Sequence, residues 1–515
     1  IRLTAALAKE FGVSVNFAEI RDNETVEKLE TLLLSTEVEE VYDIRSEYPL
    51  TQTQQGIFVE SLKNPHTTIY NIPYLIKPDA GVSVERLQKA VAAAIDAHPY
   101  IKTILYSTDT GEVLALRRDD AAPRVDIISC AYLPEPGEIL RPFDLIGKEL
   151  YRAEIYQTKD GNYLYLDLHH ILCDGESLSI LLSDTDRAYA GENLETESYT
   201  GFEVALDEEK KLASDAFAKA KAHYDSIFAG SDTDFLPVTD KQDETPSVAH
   251  THCDSELMAD DLDRFCKAHA VSHNAFFNAA MGFVLAEYNY RDDAVFATIY
   301  NGRNDSRLSR SITMLVKTLP IYCNIAGNPK IKDYINNVQE QLMDNMAADI
   351  FSFAEISASY GITADILLGY QGEGFISDSF CGEAYEVTPL ELDTAKAPIS
   401  ISLDFEKDRL AIYCEYRSDL YDESTVSDLL SCLNTACHEF LVKDELSDVE
   451  LVNAKQLEQL DKFNDTAVEF DRSKTTVDLF RDQVARQPEQ TAVVYLDKSY
   501  TYREVDEISE RIGVY

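Results

Sequence analysis

The chain has 515 residues, a charged fraction of 27% and a formal net charge of −46 at pH 7. Such a charge is repelled by the phosphates of nucleic acid and by an anionic membrane face, so neither is expected as a partner. The length predicts two to four domains, no run of about 18 apolar residues occurs, and nine scattered cysteines without a CxxC pair predict reduced thiols in a cytoplasmic protein.

Residues 1–38 have a helical pattern. Leu3, Ala6, Leu7 and Phe11 share one face and Gly12 ends it; Thr25 then caps "VEKLETLLL". Lys9 and Glu10 interrupt the apolar run, so the segment does not read as a signal peptide. The acidic "STEVEEVYDIRSEYPLT" reads as a linker.

Residues 43–450 alternate helix with strand. "SVERLQKAVAAAIDAHP" has a serine start, an amphipathic middle and a proline stop. "LYRAEIYQTKDGNYLYLDLHH" predicts a hairpin turning at Asp160-Gly161. "ESLSILLSDTDRAYAG" predicts a helix ending at Gly191, and a polar stretch over 230–248 separates this half from a second. The second half repeats the recipe. "NAFFNAAMGFVLAEY" reads as a buried helix, "DAVFATIYNGR" as a strand and "KIKDYINNVQEQLMDNMA" as a helix. "ISISLDFEKDRLAIYCEY" reads as a hairpin and "ESTVSDLLSCLNTACHEFLV" as a closing helix. Two α/β lobes are expected, over 43–228 and 229–452. Residues 453–515 begin a further domain: a helix, a strand pair turning at Asp497-Lys498, and another helix.

Within "LYLDLHHILCDGESLSILL" (164–182), a strand ends in two of the chain's ten histidines. A histidine at a strand end is more often a packed residue than a catalyst. Here the conjunction His169-His170-x-x-x-Asp174-Gly175 arises by chance with odds of about one in a thousand, at a strand-to-helix junction that presents side chains to a crevice. Neutral imidazole is matched to accepting a proton near pH 7. Along a strand the two rings point to opposite sides, so one can face a crevice while the other packs beneath. A buried Asp174 would need a cation or several N–H donors. Gly175 would allow a backbone conformation closed to other residues and close approach of a ligand. Zinc is the weaker alternative, because adjacent histidines rarely point at one metal; Cys432 and Cys437 also lack further ligands nearby.

"HHILCDGES" resembles the HHxxxDG signature of the condensation domains of non-ribosomal peptide synthetases, in the chloramphenicol acetyltransferase-like superfamily. "YPLTQTQQGIF" (48–58) is similar to the family's opening motif, with Leu50, Thr51, Gln54 and Gly56 in place. "DAHPYIKTILY" (96–106) is similar to the second, with His98, Pro99 and Thr103. "NGRNDSRLSRSITMLVKTLPI" (301–321) is similar to the fifth, with Gly302, Arg303 and Val316-x-Thr318-Leu319-Pro320; "EYRSDLYDESTVSDLL" (415–430) is similar to the closing strand and helix. Residues 1–38 resemble the later helices of a peptidyl carrier domain, whose phosphopantetheine serine would fall before Ile1. Residues 453–515 resemble the start of an adenylation domain whose ATP loop would lie beyond Tyr515.

The resemblance implies two acetyltransferase-like lobes in a V-shaped pseudo-dimer, with a short all-α carrier remnant ahead of them. It implies amide formation between a donor thioester on an upstream carrier and an aminoacyl acceptor on a downstream one. Partners would be those carriers and the adjacent adenylation domain. The condensation domain itself would bind no cofactor or metal, the phosphopantetheine arms being presented by the carriers. His170 would be the catalytic histidine, with Gly175 near the developing oxyanion; His169, Asp174 and Arg303 would support them, Arg303 as partner of Asp174. The histidine could remove the proton or position the amine, and the physics allows both. Carrier–condensation–adenylation order disfavours an epimerization domain and implies an L-configured or achiral donor. Ala97 stands where arginine is usual, and Lys317 where asparagine is common. These departures leave a second reading open, a degenerate condensation-like domain kept as a protein docking platform.

Overall fold

The computed structural model describes residues 42–229, 237–243, 245–303, 305–370, 379–388, 390, 395–469 and 471–514, with 23–35 and isolated positions before them. It divides into two compact units, Ile1–Leu451 and Val452–Tyr515. Nearly half of the segment read as a carrier remnant, including most of its first predicted helix, lies outside the described residues; the helix α1, Val26–Ser35, is the longest element they include of it. Among the described residues no helix is long and apolar enough to cross a membrane.

The first lobe contains helix α2 (Gln52–Lys63), strand β1 (Asn71–Pro78), helix α3 (Val84–Ala97), strands β2 (Asp126–Ser129), β3 (Tyr151–Thr158) and β4 (Gly161–His169), and helix α4 (Gly175–Ala190). Ser83 caps α3 by accepting from Arg86 N–H, and Leu87, Val91, Ala94 and Ile95 form its buried face. The predicted hairpin is β3–β4, paired antiparallel from Tyr151↔Leu168 to Thr158↔Gly161. Gly191 ends α4 in the left-handed conformation that a helix C-terminus favours. Leu164, Leu166 and Leu168 of β4 pack with α3 and α4 residues in one cluster. The opposite face, carrying Tyr165 and Asp167, is equally buried, so this sheet is covered on both sides.

The second lobe holds strand β5 (Val248–Met258), helix α5 (His273–Tyr288), strands β6 (Asp293–Tyr300) and β7 (Lys317–Asn324), helix α6 (Ile331–Ala347), strands β8 (Ile366–Tyr370), β9 (Tyr385–Thr388), β10 (Ile399–Glu406) and β11 (Arg409–Arg417), and helix α7 (Glu423–Phe440). Its six-stranded sheet runs β7-β6-β8-β10-β11-β5. Every residue of α5 from Ala275 to Ala286 is buried, as befits a helix that is apolar all round. The α/β fold is therefore two sheet-and-helix lobes.

One strand ignores the division at 229. β9 pairs antiparallel with β1, Tyr385↔Pro78 through Thr388↔Leu75, giving the first lobe's sheet the order β9-β1-β4-β3-β2. No strand is expected at this position from the sequence, and which sheet it joins is a long-range choice.

The second unit contains helices Ala454–Asn464, Thr476–Arg486 and Tyr502–Gly513 and a hairpin of Thr491–Tyr495 with Lys498–Thr501. The hairpin turns at Leu496-Asp497, one residue earlier than the sequence suggested; Leu496 takes the positive φ that such a tight turn demands.

Gly302, between β6 and β7, has φ +70°, and a Cβ there would stand 2.1 Å from the Leu315 carbonyl oxygen. Gly147 shares that backbone conformation, at φ +71°, but faces open space. Gly147→Ala should cost about 1–2 kcal/mol for conformation alone. Gly302→Ala should cost clearly more, read by urea denaturation of the two variants side by side. Equal losses would show that the approach of the two backbones does not matter.

Candidate active site

Strand β4 delivers the histidine pair. His169 is its last residue, opposite Asn71 of β1, and the His170 backbone N–H donates to the Tyr70 carbonyl at 2.7 Å. The rings diverge, as alternation requires. His169 packs edge-on against Phe143, with ring centroids 5.7 Å apart. Its Nδ1 accepts from the Ile171 N–H at 3.2 Å, which fixes the Nε2–H tautomer. Burial, and secondarily the nearby Arg152 charge, push its pKa down to about 3.

Beneath His169 lies a polar cluster that the sequence did not announce. Asp167 Oδ2 accepts from Arg152 at 2.7 Å, Asn71 at 2.8 Å and the Tyr165 hydroxyl at 2.9 Å. Burial lifts the Asp167 carboxyl to about 6, against the pull of Arg152 and these hydrogen bonds. Arg152 also stacks on Phe143, its guanidinium 3.7 Å from the ring centroid. His169 thus rests on a packed base in which Asp167 Oδ2 is fully engaged while Oδ1 is buried without a partner among the described residues.

His170 lines a cavity of about 350 Å³ between the lobes, together with Gln52, Gly56 and Tyr70 of the first lobe and Val316, Lys317, Thr318, Phe351 and Lys396 of the second. Its Nδ1 is shut off from solvent and has no hydrogen-bond partner among the described residues. Nε2 is the nitrogen left to meet a ligand. Burial first, then the charge of Lys396, hold the ring well below the ordinary histidine pKa, so His170 is neutral at pH 7. A second cavity of about 410 Å³ shares Thr53, Glu208, Met314, Lys317 and Asp349 with the first and extends past Tyr199 and Arg307. His169 instead faces a third, lined by Leu62, Tyr70, Phe143 and Lys148.

Asp174 is fully buried and caps α4. Its Oδ1 accepts from Ser177 N–H at 2.9 Å, from the Ser177 hydroxyl at 2.7 Å and from Arg303 Nη2 at 2.9 Å; Oδ2 accepts from Leu315 N–H at 3.2 Å. Arg303 in turn donates through Nη1 to the Leu308 and Ser311 carbonyls, at 2.7 and 2.8 Å. One carboxylate thus joins the β4–α4 junction of the first lobe to two segments of the second.

Gly175 departs from expectation. It begins α4 with an ordinary helical backbone and no positive φ, so the glycine is not needed for conformation. A Cβ there would meet open space, and Gly175 is absent from the described lining of the His170 cavity. The reason is that Asp174, as cap, already supplies the extended residue that turns the chain into α4.

Lys317 sits at the wall shared by two cavities, and its charge is matched. Nζ lies 3.3 Å from Asp349 Oδ2 and 3.8 Å from Glu208 Oε2. Burial works against that charge, but the two carboxylates outweigh it and its pKa is raised. Ala97 is buried on α3 and does not line this cavity. His98 bridges Asp184 Oδ2 at 2.9 Å and Glu197 Oε2 at 2.8 Å. Asp184 also binds Arg187 and, across the lobes, Arg310. Sequence reasoning missed Asp184, Glu197, Glu208, Asp349 and Lys396; none belongs to a periodic or spaced pattern, since each is recruited from a different element.

Two predictions follow from the site's ion pairs. Asp174→Ala should leave Arg303 buried without a counter-ion and cost about 3–5 kcal/mol, seen as a lowered melting temperature or insoluble protein. A variant that melts like the parent would refute this structural role. For His98, burial opposes the charge but Asp184 and Glu197 raise its pKa above the ordinary value. Its contribution to stability is thus complete below about pH 6.5 and is lost as pH rises through the raised folded value. Urea denaturation from pH 6 to 9 should show the parent losing more stability than His98→Asn over that range; parallel curves would contradict it.

The condensation-domain family model matches residues 44–460. Bacitracin synthase 2 of Bacillus licheniformis is 23% identical over 496 residues, which cover 90% of this chain and 19% of that protein. The chain spans between 8% and 21% of the length of such curated relatives. Among solved structures, the first condensation domain of the calcium-dependent antibiotic synthetase, with a substrate analogue, aligns with a TM-score of 0.64 at 15% identity, covering 79% of this chain and 100% of that one. The X-domain from teicoplanin biosynthesis aligns with a TM-score of 0.67 at 16% identity, covering 80% and 99%. At these identities the two structures share the fold.

Proposed function

Because the chain belongs to the condensation-domain family, we propose that it is an acyltransferase that joins two carrier-bound acyl groups through an amide bond. The observation that carries this reading is a neutral His170 whose ring opens onto the cavity between the lobes. The donor is an aminoacyl or peptidyl thioester on an upstream carrier, and the acceptor is an aminoacyl thioester on a downstream one. Residues 1–38 and 453–515 are proposed as parts of the neighbouring carrier and adenylation domains, and the setting as the cytoplasm. Carrier-borne phosphopantetheine arms are treated as part of the substrates. The adjoining cavities of about 350 and 410 Å³ offer room for their thioester ends.

The acceptor nitrogen attacks the donor carbonyl carbon, a C–N bond forms, the C–S bond breaks and the departing sulfur takes the proton the amine gives up. An α-amine of pKa about 8 is already partly neutral at pH 7. His170 Nε2 can accept the proton that the attacking amine gives up or hold the amine at attack distance, and such positioning is itself worth a large part of a barrier. Asp174, Arg303 and His169 act as the frame that fixes His170. Of the two departures that leave the docking-platform reading open, Lys317 is paired with Asp349 and Glu208 and Ala97 lies away from the cavity.

His170→Ala should retain the parent's melting temperature and lose dipeptidyl product by about 10²-fold or more, measured with both carriers loaded. Full turnover by the folded variant would remove the assignment.

A further inference from the structure

Gly175 was the expected neighbour of the developing oxyanion, yet the described lining of the His170 cavity does not include it. A different group is there. Lys396, just ahead of β10, lines that cavity from the second lobe while His170 lines it from the first. Among the described residues the Lys396 ammonium has no hydrogen bond or ion pair, and the charge that acts on it is that of Glu415 on strand β11.

The remaining charges of the cavity are Lys317, Glu208 and Asp349, which satisfy one another. Much of the lining is apolar, including Ile57, Ile299 and Phe351. Lys396 is exposed, and the protein around it lowers its pKa below the ordinary lysine value through desolvation, with Glu415 in partial opposition. An ammonium that lines the cavity without a counter-ion among the described residues is available to meet negative charge that develops there.

We propose that Lys396 is a catalytic residue whose ammonium binds the carbonyl oxygen of the attacked acyl group and stabilises its negative charge in the tetrahedral state. This rests on the amide-forming reading above. The acceptor nitrogen donates its electron pair to the carbonyl carbon, and the C=O π pair moves onto oxygen, opposite the ammonium. When that pair returns, the C–S bond breaks and the sulfur leaves with the proton lost by nitrogen. Lys396 keeps its own proton throughout. His170 and Lys396 thereby address the two partners of the reaction from opposite lobes, the histidine the amine and the lysine the carbonyl.

The test uses the full chain and its Lys396→Gln and Lys396→Arg variants, each checked for the parent's melting temperature. With both carriers loaded, Lys396→Gln should lower kcat by about 10²–10³-fold with KM little changed, and Lys396→Arg should recover part of the loss. Independently of activity, the His170 ring pKa followed by NMR should rise in Lys396→Gln, because the lysine's charge is one cause of its depression. An unchanged kcat, a rise in KM alone, or an unmoved His170 titration would overturn the assignment. A parent chain that forms no amide from two loaded carriers would instead end the condensation reading, and the role of Lys396 with it.

Discussion

The Asp174 carboxylate is the constraint on which the rest of the structure depends. It caps α4 and so sets where β4 stops and His170 begins. With its other bonds it holds Arg303 and the Leu315 amide, two points of the opposite lobe. The cavity that His170 opens onto is bounded by Met314, Val316 and Lys317, which flank the anchored Leu315 along the chain. One buried anion therefore positions the histidine and the wall facing it. Gly302 completes the arrangement, because its neighbour Arg303 can reach Asp174 only if the backbone passes close to Leu315.

The electrostatics around this anchor are sorted by burial. Charges that hold the frame are matched: Asp174 with Arg303, Asp167 with Arg152, Lys317 with Asp349 and Glu208, and His98 with Asp184 and Glu197. Each neutralises a cost that burial would otherwise impose. The two histidines of the signature follow the opposite rule and remain neutral. A neutral His170 keeps its Nε2 lone pair available, while a neutral His169 is a packing element on Phe143. The same residue type in adjacent positions thus has two roles, set by which side of β4 each ring occupies.

The lobes are tied by more than side chains. β9 comes from the second half of the chain and adds an edge strand to the first lobe's sheet. The Asp184–Arg310 pair makes a further link. The cavity's width is therefore governed by backbone and ionic ties across the lobes as well as by the residues that line it.

Much of this was legible in the sequence. The hairpin turning at Asp160-Gly161, the capped helices, the apolar helix α5 and the HHxxxDG junction are local: turn chemistry, capping and periodicity act over a few residues and leave their mark there. The opposite facing of His169 and His170 followed from the alternation of a strand. The tertiary structure alone decided where β9 pairs, what neutralises Lys317, why Gly175 is not a backbone device, and that Lys396 comes to the His170 cavity more than 200 residues along the chain. These depend on packing between distant segments, and the energy of a charge is set by its surroundings after folding. No spacing rule in a linear sequence records that.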